Sequence, residues 1–110
     1  MIVTDDDVQK ALDYLRTNAP KAAIAKANRI YMTEYRKTVK SNGMQEHLNK
    51  PVAAQEREAY RTADYIAHLE AMREAIRQDV LHEWGRAAAE ATIEAWRTYN
   101  ANRRGEAKLQ

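Results

Sequence analysis

At 110 residues and 12.7 kDa the chain has the size of one domain, 1–110. Charged residues make up 31% of it, phenylalanine is absent, and the lack of cysteine excludes disulfides and thiolate metal sites. The net charge of +2 names no partner, but its distribution is uneven: residues 1–50 hold nine Lys/Arg against six Asp/Glu, and 51–94 hold five against nine.

The first predicted helix starts at Thr4, whose hydroxyl can cap free amides while Asp7 sits three residues on. Asp5, Asp6 and Asp7 suit the positive end of the helix dipole. Val8, Ala11, Leu12 and Leu15 then recur at the spacing of one buried face. Pro20 disfavours helical geometry at Ala19, so this helix is expected to stop near Asn18.

A second helix is predicted from about Pro20 to Lys40. Ala23, Ile24, Ala27, Tyr31 and Tyr35 fall on one side of it and are expected in the core. Lys26, Arg29, Arg36, Lys37 and Lys40 fall on the other, with Glu34 outside that stripe. Ser41-Asn42-Gly43 reads as a helix stop, and residues 41–52 as a loop whose far end is Lys50-Pro51.

Residues 53–60 read as a third helix, and Thr62 as the cap of a fourth after a break at Arg61-Thr62. The fourth is long, running to about Asn102. It carries one apolar stripe of Ile66, Leu69, Ile76 and Val80, then an offset one of Leu81, Trp84, Ala88, Ala91, Ala95 and Tyr99. The offset lies near Asp79 and Gly85. It implies either a kink or a continuous helix that changes packing partner, and the absence of turn residues favours continuity. Asn100, Asn102 and Gly105 are terminators, and the basic tail from about 103 is expected to fray.

The fold class is therefore all-α, with about four helices and a long C-terminal helix packed by shorter N-terminal ones. Its thin, alanine-rich core is expected to be completed by homo-oligomerisation. No apolar run approaches the roughly 20 residues that span a bilayer. The N-terminus also lacks a signal peptide's basic start and apolar middle. A cytoplasmic protein without membrane contact is expected.

Reactive constellations are weak. His82-Glu83 opens like the zinc-protease motif His-Glu-x-x-His, but Arg86 stands where the second histidine belongs. Asp79 and His82 resemble half of a di-iron motif of which there is one copy. His68 and Met72 share a face, as buried seam residues do. Glu70 with Glu74, and Glu90 with Glu94, are ordinary spacings on solvated helices beside Arg73, Arg77 and Arg97. No metal, cofactor or catalytic residue is assigned, and an enzyme is not expected.

The basic stripe is the main functional candidate, because cations along one helix face can follow a phosphate backbone without reading bases. Arg103 and Arg104 would extend it, with Lys108, if the tail lies nearby. The competing reading docks the stripe on the acidic 51–94 segment, in the same chain or in a partner. Trp84 and Trp96 are candidate anchors of helix–helix or oligomer contacts.

Three stretches carry a resemblance: Val3-Thr-Asp-Asp-Asp-Val-Gln-Lys-Ala-Leu-Asp-Tyr-Leu15, Ala54-Gln-Glu-Arg-Glu-Ala-Tyr60 and Ile93-Glu-Ala-Trp-Arg-Thr98. They resemble small, largely uncharacterised helical proteins encoded among early genes of temperate phages and prophages for DNA recombination and replication. The resemblance spans nearly the whole chain and carries over no catalytic residue. It implies a context of phage DNA metabolism in a host cytoplasm, with single- or double-stranded DNA or DNA-processing proteins as partners of the basic face; with no reactive constellation, the expected role is a non-enzymatic accessory one. The alternative is an assembly module that touches no nucleic acid.

Overall fold

The computed structural model describes residues 2–109 and is all-α among them. It has three helices: α1 (Asp5–Gln45), α2 (Val52–Tyr60) and α3 (Ala63–Leu109). The four expected helices become three because α1 runs through Pro20 without a break, and it passes Ser41-Asn42-Gly43 to end at Gln45. Proline's fixed φ is itself helical, and its missing amide costs a single helical hydrogen bond. The break at Arg61-Thr62 is where the caps place it. The long helix passes Asn100, Asn102 and Gly105 to reach Leu109, so the tail expected to fray from about 103 is helical.

Local chemistry explains the ends. Thr4 and Asp7 exchange two hydrogen bonds, Thr4 N to Asp7 Oδ2 at 2.9 Å and Asp7 N to Thr4 Oγ1 at 3.1 Å. This reciprocal pair satisfies free amides at the start of α1. Thr62 Oγ1 accepts from Tyr65 N at 3.1 Å and donates to Ala59 O at 2.9 Å, so one hydroxyl closes α2 and opens α3. Between α1 and α2, two turns bond His47 N to Met44 O and Lys50 N to His47 O, both at 3.0 Å.

The tertiary contacts gather into two compact units, Met1–Ala22 with Leu81–Gln110, and Ala23–Val80. In the first, Asp5 meets Trp96 and Tyr14 meets Gly85, so the segments of α1 and α3 run antiparallel. Val8, Ala11 and Ala89 are its buried apolar residues. Gly85 matters because the Tyr14 hydroxyl occupies the space a side chain would need: a Cβ there would stand 1.8 Å from Tyr14 Oη.

In the second unit, Arg29 pairs with Asp79 and Met32 with His68, so these segments are antiparallel as well. α2 packs on the end of α1, where a Cβ on Gly43 would stand 3.0 Å from the backbone Cα of Ala59. Gly43, read as a helix stop, is instead a point of close helix approach. Ala59 is wholly buried there.

The least exposed residues of α3 in this unit are Tyr65, His68, Met72, Ala75 and Asp79, spaced three and four apart. That is the 3.5-residue seam of paired helices. Small Ala75 and polar His68 and Asp79 share it with Tyr65 and Met72. The expected core stripe of Ile66, Leu69, Ile76 and Val80 lies one position along and is 39–52% exposed. Tyr31 and Tyr35, expected in the core, are 63% and 41% exposed and stack on each other with centroids 5.7 Å apart. Tyr65, at 7%, is the best-buried large side chain of the seam, and among the described residues no large side chain is fully buried.

Candidate interaction surfaces

The five cations of the basic stripe all lie in the unit Ala23–Val80, but they do not share one environment. Arg29 sits in the helix seam and donates from Nε to Asp79 Oδ2; their side chains are 34% and 16% exposed. Lys40 reaches Glu56 Oε1 at 3.3 Å and lies 5.2 Å from the centre of the Tyr60 ring. Those neighbours raise its pKa, the Tyr60 hydroxyl first and the Glu56 carboxylate second. Lys37 is exposed and bonds Glu34 Oε2 at 3.0 Å, so Glu34 does reach into the stripe. Lys26 and Arg36 are exposed and have no carboxylate partner among the described residues.

Docking on the acidic segment of the same chain thus accounts for two of the five cations, and neither contact was readable from periodicity. Asp79 and Glu56 are distant in sequence from their partners, and only the antiparallel pairing brings them together.

Arg103 and Arg104 lie in the other unit. Arg103 stands 5.9 Å from the centre of the Tyr99 ring. Both arginines line a shallow recess with Trp96, Arg97 and Asn100. Trp96 is half-buried and donates from Nε1 to Asp5 Oδ1 at 2.8 Å, so it ties α3 to the start of α1. Trp84 is 70% exposed, an extreme value for the largest apolar side chain. Its indole does not anchor packing within the chain and stays available to another.

His68 is 9% exposed and its Nε2 lies 2.7 Å from the Met32 carbonyl oxygen. A carbonyl only accepts, so Nε2 carries the hydrogen. The ring also meets Tyr35 at 5.8 Å, a packed seam position rather than a metal ligand. Among the described residues no three His, Asp or Glu side chains gather where they could hold a metal ion.

One carboxyl on the exposed side of α3 is strongly shifted. Arg77 grips Glu74 with two bonds, Nε to Oε2 at 2.9 Å and Nη2 to Oε1 at 2.7 Å, and Gln78 adds a third at 3.1 Å. These bonds hold the carboxyl down at about 2 against an ordinary 4.5. A depressed carboxyl contributes stability above its unfolded pKa and loses it as the pH falls through the folded one. The contribution of Glu74 should therefore be complete above about pH 4.5 and fade towards pH 2. In an NMR titration the Glu74 side chain is expected to turn near 2, and Arg77→Ala to return it to the ordinary glutamate range. An unchanged midpoint in that variant would remove Arg77 as the cause.

No helix among the described residues is long and apolar enough to cross a membrane. Comparison with known proteins finds no family model that matches the chain, no similar curated protein and no similar solved structure. The surfaces themselves therefore carry the functional reading.

Proposed function

We propose that the chain is a non-enzymatic helical assembly module that works as a homo-oligomer. The observation that carries this is the exposure of its large apolar side chains. Ile24, Ile30, Tyr31, Ile66, Leu81 and Trp84 are each between 48% and 70% exposed. Placed beside the phage resemblance, the assembly would be an accessory one among proteins of DNA recombination or replication.

Sedimentation equilibrium tests the reading directly. A mass that is a multiple of 12.7 kDa is expected, and a chain that stays monomeric at high micromolar concentration would overturn it.

A second reading rests on Lys26 and Arg36, two exposed cations of α1 with no ion-pair partner among the described residues, and separately, in the other unit, on Arg103 and Arg104 of α3. These would contact nucleic-acid phosphates. Binding of single- and double-stranded DNA across a salt series separates the two readings, because phosphate contacts weaken steeply with salt. Loss of DNA binding on Lys26→Ala plus Arg36→Ala supports the second reading. No binding at low salt removes it.

A further inference from the structure

The exposed stripe on α3 within Ala23–Val80 has a sequence that is its own electrostatic complement. Ile66, Leu69, Arg73, Ile76 and Val80 recur three and four residues apart, the spacing of a second helix seam beside the first. The apolar members are 52%, 39%, 39% and 39% exposed in that order. Along this stripe runs Glu70-Ala71-Met72-Arg73-Glu74-Ala75-Ile76-Arg77. Read from either end about the midpoint between Arg73 and Glu74, each acid is matched by a base.

We infer that this face binds a second copy of the chain, α3 against α3, antiparallel about a two-fold axis between Arg73 and Glu74. This rests on the assembly reading above and names its interface. In that arrangement Glu70 meets Arg77 of the second copy and Arg73 meets Glu74 of the second copy, and symmetry makes each contact twice. Leu69 and Ile76 of both chains form the centre, with Ile66 and Val80 at its ends. A parallel pairing would set each charge against its own kind, so charge selects the antiparallel one.

Glu70 and Arg73 have no ion-pair partner among the described residues. They are free to make these contacts. Glu74 and Arg77 already pair along the helix and are 58% and 57% exposed, so each keeps open sides for a second partner. Ile30 extends the apolar face. It follows the seam residue Arg29 as Val80 follows Asp79, which puts both on the same side of an antiparallel pair.

The full chain with Leu69→Asp and Ile76→Asp is expected to associate at least about tenfold more weakly by sedimentation. Its circular dichroism should stay helical, because both positions are exposed. Since the chain has no cysteine, orientation can be read independently by mixing Glu70→Cys with Arg77→Cys under mild oxidation. The mixed disulfide should exceed the disulfides formed by either variant alone. Equal yields, or a dominant Glu70→Cys homodisulfide, would overturn the antiparallel interface. An oligomer that survives the Leu69/Ile76 variant would overturn this face and leave the assembly reading standing. A monomeric parent chain would overturn both.

Discussion

Replacing Pro20 with alanine is expected to stabilise the protein by about 2 kcal/mol, or roughly 10 °C in the midpoint of thermal unfolding. Pro20 lies inside α1, has no amide to donate, and leaves the Arg16 carbonyl without its helical partner. Its ring is exposed, so alanine removes no packing contact. The full proline penalty inside a helix is about 3 kcal/mol. Water bonding to the Arg16 carbonyl recovers part of it, which is why the expected gain is smaller. Circular dichroism melts of the two chains decide the matter. A lower melting point for Pro20→Ala would mean that the packing of α1 needs a bend at this residue.

That proline shows why part of the fold was legible in the sequence and part was not. Features set by neighbours along the chain read correctly: the Thr4–Asp7 cap, the Thr62 cap and the break before it. Features decided by tertiary contact did not. Pro20 and Gly43 look like terminators, but the flanking segments of α1 each have antiparallel partners, and those contacts carry the helix through both. At Gly43 the missing side chain admits Ala59. At Asn100 the side-chain amide bonds back to Trp96 O at 3.0 Å, so a residue read as a stop serves the helix interior.

Part of the core was misplaced for a related reason, although Val8, Ala11 and His68 read correctly as buried positions and Met72 as a seam position. Periodicity weights large apolar residues, and on α3 these form the stripe next to the true seam. His68, Ala75 and Asp79 sit in the seam beside Tyr65 and Met72 because small and hydrogen-bonded side chains let two helices approach. A seam that contains alanine, histidine and an aspartate–arginine pair has no strong hydrophobic signature. Its neighbour does, and that stripe is outward-facing. The most core-like stripe in the sequence is thus the one the fold leaves outside the seam.

Arg29→Ala is expected to cost about 2 kcal/mol, while Asp79→Ala costs less. Breaking a fully buried pair costs about 3–5 kcal/mol, and this one keeps some access to water. The asymmetry follows from reach and exposure. Without Arg29, the Asp79 carboxylate remains in the seam with its side chain 16% exposed and no described ion-pair partner. Without Asp79, the longer Arg29 side chain, already 34% exposed, can extend its guanidinium to water along its own apolar stem. Arg29→Met with Asp79→Leu should recover most of the loss, since both charges are then gone and the seam is filled by apolar groups. A double-mutant cycle read by thermal unfolding checks this, and additive losses would mean that the pair contributes no coupling. The same geometry separates structure from recognition on the basic stripe. Arg29→Ala would lower stability whether or not the protein binds DNA, whereas Lys26→Ala with Arg36→Ala should leave the melting point nearly unchanged. The latter pair therefore gives the cleaner test of phosphate contact, and Arg29 reports on the seam.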